Sequence, residues 1–244
     1  MATAALRAGA ADGLGEDRRD HGWLFIGAIL TGSFLLFLIQ PMVARMALPR
    51  LGGAPAVWNS AMLVYQALLL GGYGYAHLLS RFTPRTQSAV QLLLLALAGL
   101  MLPITLTGGP PGADVSPVLW VPWLLLSSIG PLFLAVAAQA PLLQRWYGAA
   151  TGGRDPYPLY AASNLGSFAG LLAYPFLVEP RLALAGQSQF WALGYVLLTV
   201  LTLGCALVLP RAGVDRHDAG FDPLPAPAGG SAACGSCSPS CRRA

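Results

Sequence analysis

The charges of this chain fall in clusters, and the stretches between the clusters carry none. Residues 23–44 contain no Asp, Glu, Lys or Arg. At about 1.5 Å per helical residue that run reaches roughly 33 Å, enough to cross a bilayer. Five more uncharged runs follow, at 57–80, 88–106, 117–144, 157–178 and 188–209. The first is too long for the apolar part of a cleaved signal peptide, and Gln40-Pro41-Met42 resembles no small-residue cleavage site.

Composition agrees with the pattern. Only 10% of the 244 residues are charged and 55% are hydrophobic, whereas a soluble domain carries about 25% charged residues to face water. A water-soluble globule built from this chain would expose large apolar patches. This argues against the soluble-enzyme class. The expected fold is all-α: a polytopic helical bundle of about six transmembrane helices. The expected division is a disordered tail over 1–20, a membrane domain over 21–210 and a disordered, Cys-containing tail over 211–244. Both tails are Gly/Ala-rich and polar, without an apolar period.

Arginine placement sets the orientation, since every basic residue is Arg. With the N-terminus cytoplasmic, the inner segments hold Arg7, Arg18, Arg19, Arg81, Arg85, Arg145, Arg154, Arg211, Arg216, Arg242 and Arg243, and the outer ones hold Arg45, Arg50 and Arg181. This positive-inside bias places both termini in the cytoplasm. It also accounts for the net charge of +4 without nucleic acid.

Polar residues inside the runs are few. Gln40 is followed by Pro41, Arg45, Arg50 and the Gly52-Gly53 pair. This segment reads either as a Pro-terminated helix meeting headgroups or as an anion-receiving loop with two forked donors. Asn59 and Gln66 are two helical turns apart and share a face, where interhelical bonding is the commoner use of an amide. His77, beside Arg81, reads as an interfacial residue. In the fourth run Pro122, Pro131 and Pro141 interrupt the helix. The expectation there is a kink near Pro131, with Ser127 and Ser128 bonding the freed carbonyls, or a broken helix lining a cavity. Gln139 is a candidate partner in that run. In the fifth, Ala162, Gly166 and Gly170 form a small-residue stripe for close helix packing, and Ser163 and Asn164 are candidate ligand contacts. Trp120, Trp123, Trp146 and Tyr147 would serve as interfacial belts. No motif duplicated between 23–106 and 117–209 is evident.

No cofactor and no metal are expected. Cys234, Cys237 and Cys241 suit zinc in type, but their spacing fits no finger or ribbon, and a low-complexity tail is the reading adopted. The sequence has no zinc-protease, Walker or nucleophile-elbow motif. Asp114, Asp155 and Glu179 are the only acids between 21 and 214, all at run edges. A proton-driven carrier wants a deeper carboxylate.

The segments Phe34–Arg45 and Leu48–Asn59 resemble the membrane domain of bacterial spermidine-synthase-like proteins, often described as fused major-facilitator/spermidine synthase proteins. The likeness continues through Gly71–His77 and Asp155–Gly166, within residues 23–209. In that family the membrane part precedes a soluble aminopropyltransferase-like domain. After Leu209 this sequence has no strand–Gly-rich-loop–helix unit and no acidic cluster for a diamine. The resemblance therefore implies a non-catalytic membrane module acting as anchor, scaffold or subunit of a larger complex. Its expected partners are the lipid bilayer and other membrane subunits or a second copy. A transporter or half-transporter for a polyamine or other small solute is the first alternative, and a lipid- or quinone-binding subunit the second. The purified chain is expected to transfer no label from decarboxylated S-adenosylmethionine to putrescine, and transfer above the protein-free rate would refute the non-enzymatic reading.

Overall fold

Prolines and glycines set where the helices begin and end. The computed structural model describes residues 22–51, 53–106 and 117–209, and the two expected tails lie outside the described residues. The chain forms α1 (Gly22–Leu51), α2 (Pro55–Leu79), α3 (Pro84–Gly99), α4 (Pro117–Ala137), α5 (Gln139–Thr151), α6 (Tyr157–Ala173), a π-helical turn (Tyr174–Val178), α7 (Glu179–Arg181) and α8 (Leu184–Val208). Pro55 and Pro84 open their helices, where a missing N–H costs nothing. Thr83 caps α3 by accepting from the Thr86 N–H. Gly152, in the left-handed region at φ 72°, stops α5.

Four helical stretches are long and apolar enough to cross a membrane: Gly22–Arg50, Trp120–Thr151, Tyr157–Arg181 and Leu184–Val208. The run at 57–80 and the first part of the run at 88–106, as far as Gly99, also fold as helices. α2, however, dilutes its apolar residues with Asn59, Gln66, His77 and three tyrosines. α3 has 16 residues, about 24 Å of helix.

The interruption of the fourth run lies elsewhere than at Pro131. α4 passes through Pro122 and Pro131, and the helical hydrogen-bond ladder is interrupted only at Ala138, whose backbone stays helical at φ −71° and ψ −14°, so Trp120–Thr151 runs as one long stretch. Pro141 explains the interruption, since its ring crowds the carbonyl of Ala137 and it has no N–H to offer that carbonyl. Ser127 Oγ donates to Leu124 O at 3.1 Å, within its own helix. Pro175 acts similarly in the fifth run: the missing donor to Leu171 widens the helix into the π turn.

α1 and α6 make the most extensive helix pair, followed by α2 with α4 and α1 with α8. Glycines make the first two possible. A Cβ added at Gly166 would overlap Leu30 O, and one at Gly170 would sit 2.5 Å from Phe34 O. One added at Gly72 would sit 2.8 Å from Ala137 Cβ and 3.2 Å from Leu134 O. Leu30 lies against Gly166 and Phe34 against Gly170, so α1 and α6 run the same way. Leu68 against Gly130 and Ala137 against Gly72 give the same relation for α2 and α4. α8 runs opposite to α1, with Leu198 at Gly32 and Leu24 at Gly204. α3 and α8 are antiparallel, through Arg85 to Leu209 O, Tyr195 to Leu95 O and Ser188 to Ile104 O.

These directions show a duplication that inspection of the sequence missed. α1, α2 and α3 run up, down and up, while α4–α5, α6 and α8 run down, up and down. Equivalent residues lie about 100 apart. Trp191 Nε1 donates to Leu35 O at 3.0 Å and Gln91 Nε2 to Ala135 O at 2.9 Å. Gln87 Nε2 donates to Phe82 O and Gln187 Nε2 to Leu182 O, at 2.8 and 2.9 Å. Gly72 faces Leu134 O as Gly170 faces Phe34 O. Residues 87–100 and 187–200 show the same succession of buried, half-buried and exposed positions. The described fold is therefore an inverted pair of three-helix units. Identical residues at this offset include Trp23/Trp123, Ile29/Ile129, Pro41/Pro141, Arg45/Arg145, Arg81/Arg181, Gln87/Gln187 and Ser88/Ser188. They are too scattered to form a motif, which is why none is evident in the sequence.

Gly170→Ala is expected to destabilise the bundle by about 1–3 kcal/mol, because the new methyl meets backbone rather than a movable side chain. Gly74→Ala, with nothing within 4 Å of its Cβ position, is expected to be neutral or to stabilise by up to about 1 kcal/mol. Reversible unfolding in mixed micelles measures both. Equal effects of the two would overturn the close approach of α1 and α6.

Candidate functional site

The junction between α4 and α5 places a polar residue where the two three-helix units meet. Gln139 is the first residue of α5 and 1% exposed. It lines a cavity of about 70 Å³ together with Ile29, Gly32, Ser33, Leu36 and Phe37 of α1, Tyr73 of α2, Val136 and Ala137 of α4, Ala140 of α5, and Ser163 and Ser167 of α6. Both units contribute, and the α1 residues come from the middle of that helix. The cavity therefore sits at the interface of the inverted repeat, away from the ends of the bundle.

Its polar groups form a short network. Ser33 Oγ and Ser163 Oγ are 2.9 Å apart, joining α1 to α6. Ser167 Oγ donates to Ser163 O at 2.9 Å. Gln139 Nε2 donates to Thr202 Oγ1 on α8 at 3.0 Å, and that hydroxyl donates to Leu198 O at 2.8 Å. Gln139 Oε1 has no hydrogen-bond partner, and neither has Gln91 Oε1, whose amide binds Ala135 O one turn before Gln139. A buried acceptor left unpaired costs about 1–3 kcal/mol, so this part of the bundle is where a donor or a positive charge is most favoured. By contrast, a cleft of about 360 Å³ between α1 and α8 has Thr31 as the one hydrogen-bonding side chain among its lining residues.

The ligand candidates read from the sequence do not form one site. Gln139 and Ser163 come together in the cavity. Gln40 lies beyond it on α1, its Nε2 donating to Leu36 O at 3.4 Å and its carbonyl accepting from Tyr65. Arg45 pairs with Glu179, 2.9 Å from Nη1 to Oε1, with both side chains 42% exposed. Arg50 donates to Leu106 O at 2.9 Å. The two arginines thus bind different segments of the chain itself. Asn59, Gln66 and Asn164 are exposed on helix surfaces. Ala162, Gly166 and Gly170 are buried, the two glycines against α1. Cys234, Cys237 and Cys241 lie outside the described residues, and among the described residues no three His, Cys, Asp or Glu side chains cluster as metal ligands.

Sequence reasoning missed Ser33, Ser167, Gln91 and Thr202. Ser33 and Ser163 are 130 positions apart, and no local spacing connects them. The belt reading also needs correction. Trp123 is 70% exposed, but Trp146 is fully buried and donates to Gln87 Oε1, and Tyr147 packs edge-on against Phe25. The indole N–H found a polar partner inside the bundle, which holds the ring there.

Thr202→Val is expected to destabilise the protein by about 1 kcal/mol more than Thr199→Val, measured by unfolding in micelles. Both lose a hydroxyl bonded to their own helix, but only Thr202 also accepts from Gln139. Thr202→Ser restores the acceptor and is expected to recover the difference. No protein-family model, curated protein or solved structure matches this chain, so its function rests on the chemistry and placement of the cavity.

Proposed function

We infer that this chain is a non-enzymatic, six-span module of the bacterial inner membrane that acts as half of a carrier for a small polar solute. The observation that carries the reading is a polar cavity beside the Pro141 junction of α4 and α5, where two inverted three-helix units meet. Inverted repeats that meet around a polar site are a recurrent architecture for alternating access, with the site near the bilayer midplane.

Several features support the bilayer as the solvent. Leu70, Leu100, Leu193 and Leu207 are all more than 70% exposed, an apolar surface suited to acyl chains and costly in water. The repeat supports six crossings, because α2 and α3 occupy the places that α6 and α8 occupy in the other unit. One end of the bundle carries Arg45, Glu179, Arg50 and Leu106; the other carries Arg85 and Leu209. With the Arg85 end in the cytoplasm, the arginine bias and the helix directions agree.

The cavity of about 70 Å³ is lined by half-exposed Phe37 and Tyr73 as well as by buried Gln139. A second copy or another membrane subunit completes the path in this reading, in keeping with the likeness to the membrane part of spermidine-synthase-like proteins. The test is accessibility, which needs no knowledge of the solute. In a variant lacking the native cysteines, Ser163→Cys is expected to react with a membrane-impermeant thiol reagent from either face of a vesicle. Labelled putrescine and spermidine serve as first probes for counterflow. No reaction from either face, together with no counterflow of any small solute tested, would overturn the carrier reading in favour of an anchor or scaffold.

A further inference from the structure

The outward face of α2 differs from the other outward faces of the bundle. On α3 the exposed positions from Ala89 to Leu97 are all apolar, and so are those on α8 from Phe190 to Leu207. Acyl chains cover such faces without leaving a polar group unpaired. α2 instead exposes Asn59, Leu63, Gln66, Leu70, Tyr73 and His77, whose numbers step alternately by four and three. That alternation is the heptad seam along which one helix receives another. Among the described residues, the side chains of Asn59 and Gln66 make no hydrogen bond. Gln66 stands at the middle of α2 (Pro55–Leu79). With α2 across the bilayer, its amide faces the hydrocarbon centre, where lipid offers neither donor nor acceptor. Such an amide is satisfied by another helix.

Symmetry and charge identify that helix. Copies of one chain enter the membrane in one orientation, so α2 helices from two copies pair in parallel and each seam residue meets its twin. A carboxamide both donates and accepts, so Asn59 and Gln66 each complement their own twin. Residues 51–80 hold no Asp, Glu, Lys or Arg to repel a second copy. Tyr73 also lines the cavity that holds Ser33 and Gln139, so the seam reaches the rim of the candidate site.

We propose that this face of α2, with Asn59 and Gln66 at its polar positions, is the seam of a parallel homodimer on which the same face of a second copy docks. Each amide is covered by its twin, Leu63 and Leu70 pack between them, and Tyr73 is common to the interface and the cavity. The proposal rests on the crossing of the bilayer by α2; it does not rest on solute movement.

The test is cysteine crosslinking of the full chain in vesicles, in a variant lacking the native cysteines. Leu63→Cys and Leu70→Cys are each expected to give disulfide-linked homodimers on oxidation, at a protein-to-lipid ratio where Leu193→Cys on α8 gives none. Asn59→Leu combined with Gln66→Leu is expected to lower the crosslinked fraction of Leu63→Cys about tenfold. Asn164→Leu, which removes the exposed amide of α6, is expected to leave it unchanged. Both seam amides are exposed, so their loss spares the fold of the single copy, which native mass spectrometry and circular dichroism check. Equal crosslinking at Leu63→Cys and Leu193→Cys, or crosslinking indifferent to loss of the two amides, would overturn the proposal. Crosslinking of Leu63→Cys in native membranes to a different subunit in place of its twin would also overturn it. Ready labelling of Leu63→Cys and Leu70→Cys by a membrane-impermeant thiol reagent would overturn the crossing by α2, whereas shielding without crosslinking would overturn the seam alone. Dimers without counterflow would overturn only the carrier reading.

Discussion

Everything in the described bundle depends on how closely α1 can approach α6. Gly166 and Gly170 present bare backbone to Leu30 O and Phe34 O, and a side chain on either would push the helices apart. In a bilayer, lipid tails are as apolar as leucine, so helices associate through close packing and interhelical bonds rather than through hydrophobic exclusion. Gly72 performs the same task between α2 and α4. These two glycine contacts are equivalent under the inverted repeat and set the spacing of all the rest.

The other interhelical ties are polar and few, each spanning helices far apart in sequence. Trp191 to Leu35 O and Gln91 to Ala135 O are again equivalent by the repeat. Where the two units differ, the differences gather around the α4–α5 junction. Pro141 is matched by Pro41, but α1 is helical without interruption through Pro41 while the second unit has a one-residue interruption of its hydrogen-bond ladder at Ala138. Gln139 and Ser163 bring polar atoms into that region. The symmetric parts hold the bundle together, and the asymmetric part is the candidate site.

Much of this was legible in the residues. The uncharged runs marked each long helix, the four-residue spacing of Ala162, Gly166 and Gly170 marked a face able to approach closely, and Gln139 and Ser163 stood out as polar residues in apolar surroundings. Less was legible of which polar residues meet. Asn59 and Gln66 share a face, but that face is exposed. Arg45 looked available to an anion until Glu179, distant in sequence, was placed against it. The duplication was hidden because its identities are scattered; what it preserves is burial pattern and backbone contacts.

The sequence by itself determined that the chain is helical, where apolar helices run, and which residues punctuate them. Those properties are local: hydropathy, charge spacing, and the missing N–H of proline act within a few turns. Only the tertiary structure decided that the units are inverted, that the hydrogen-bond ladder of the fourth run is interrupted at Ala138, and that Ser33, Gln139 and Ser163 share one cavity. The reason is geometric. A helix carries its polar residues on a fixed face, but what that face meets depends on rotation and depth against its neighbours. Those are set by glycine contacts between residues distant in sequence, from Gly166 with Leu30 to Gly204 with Leu24.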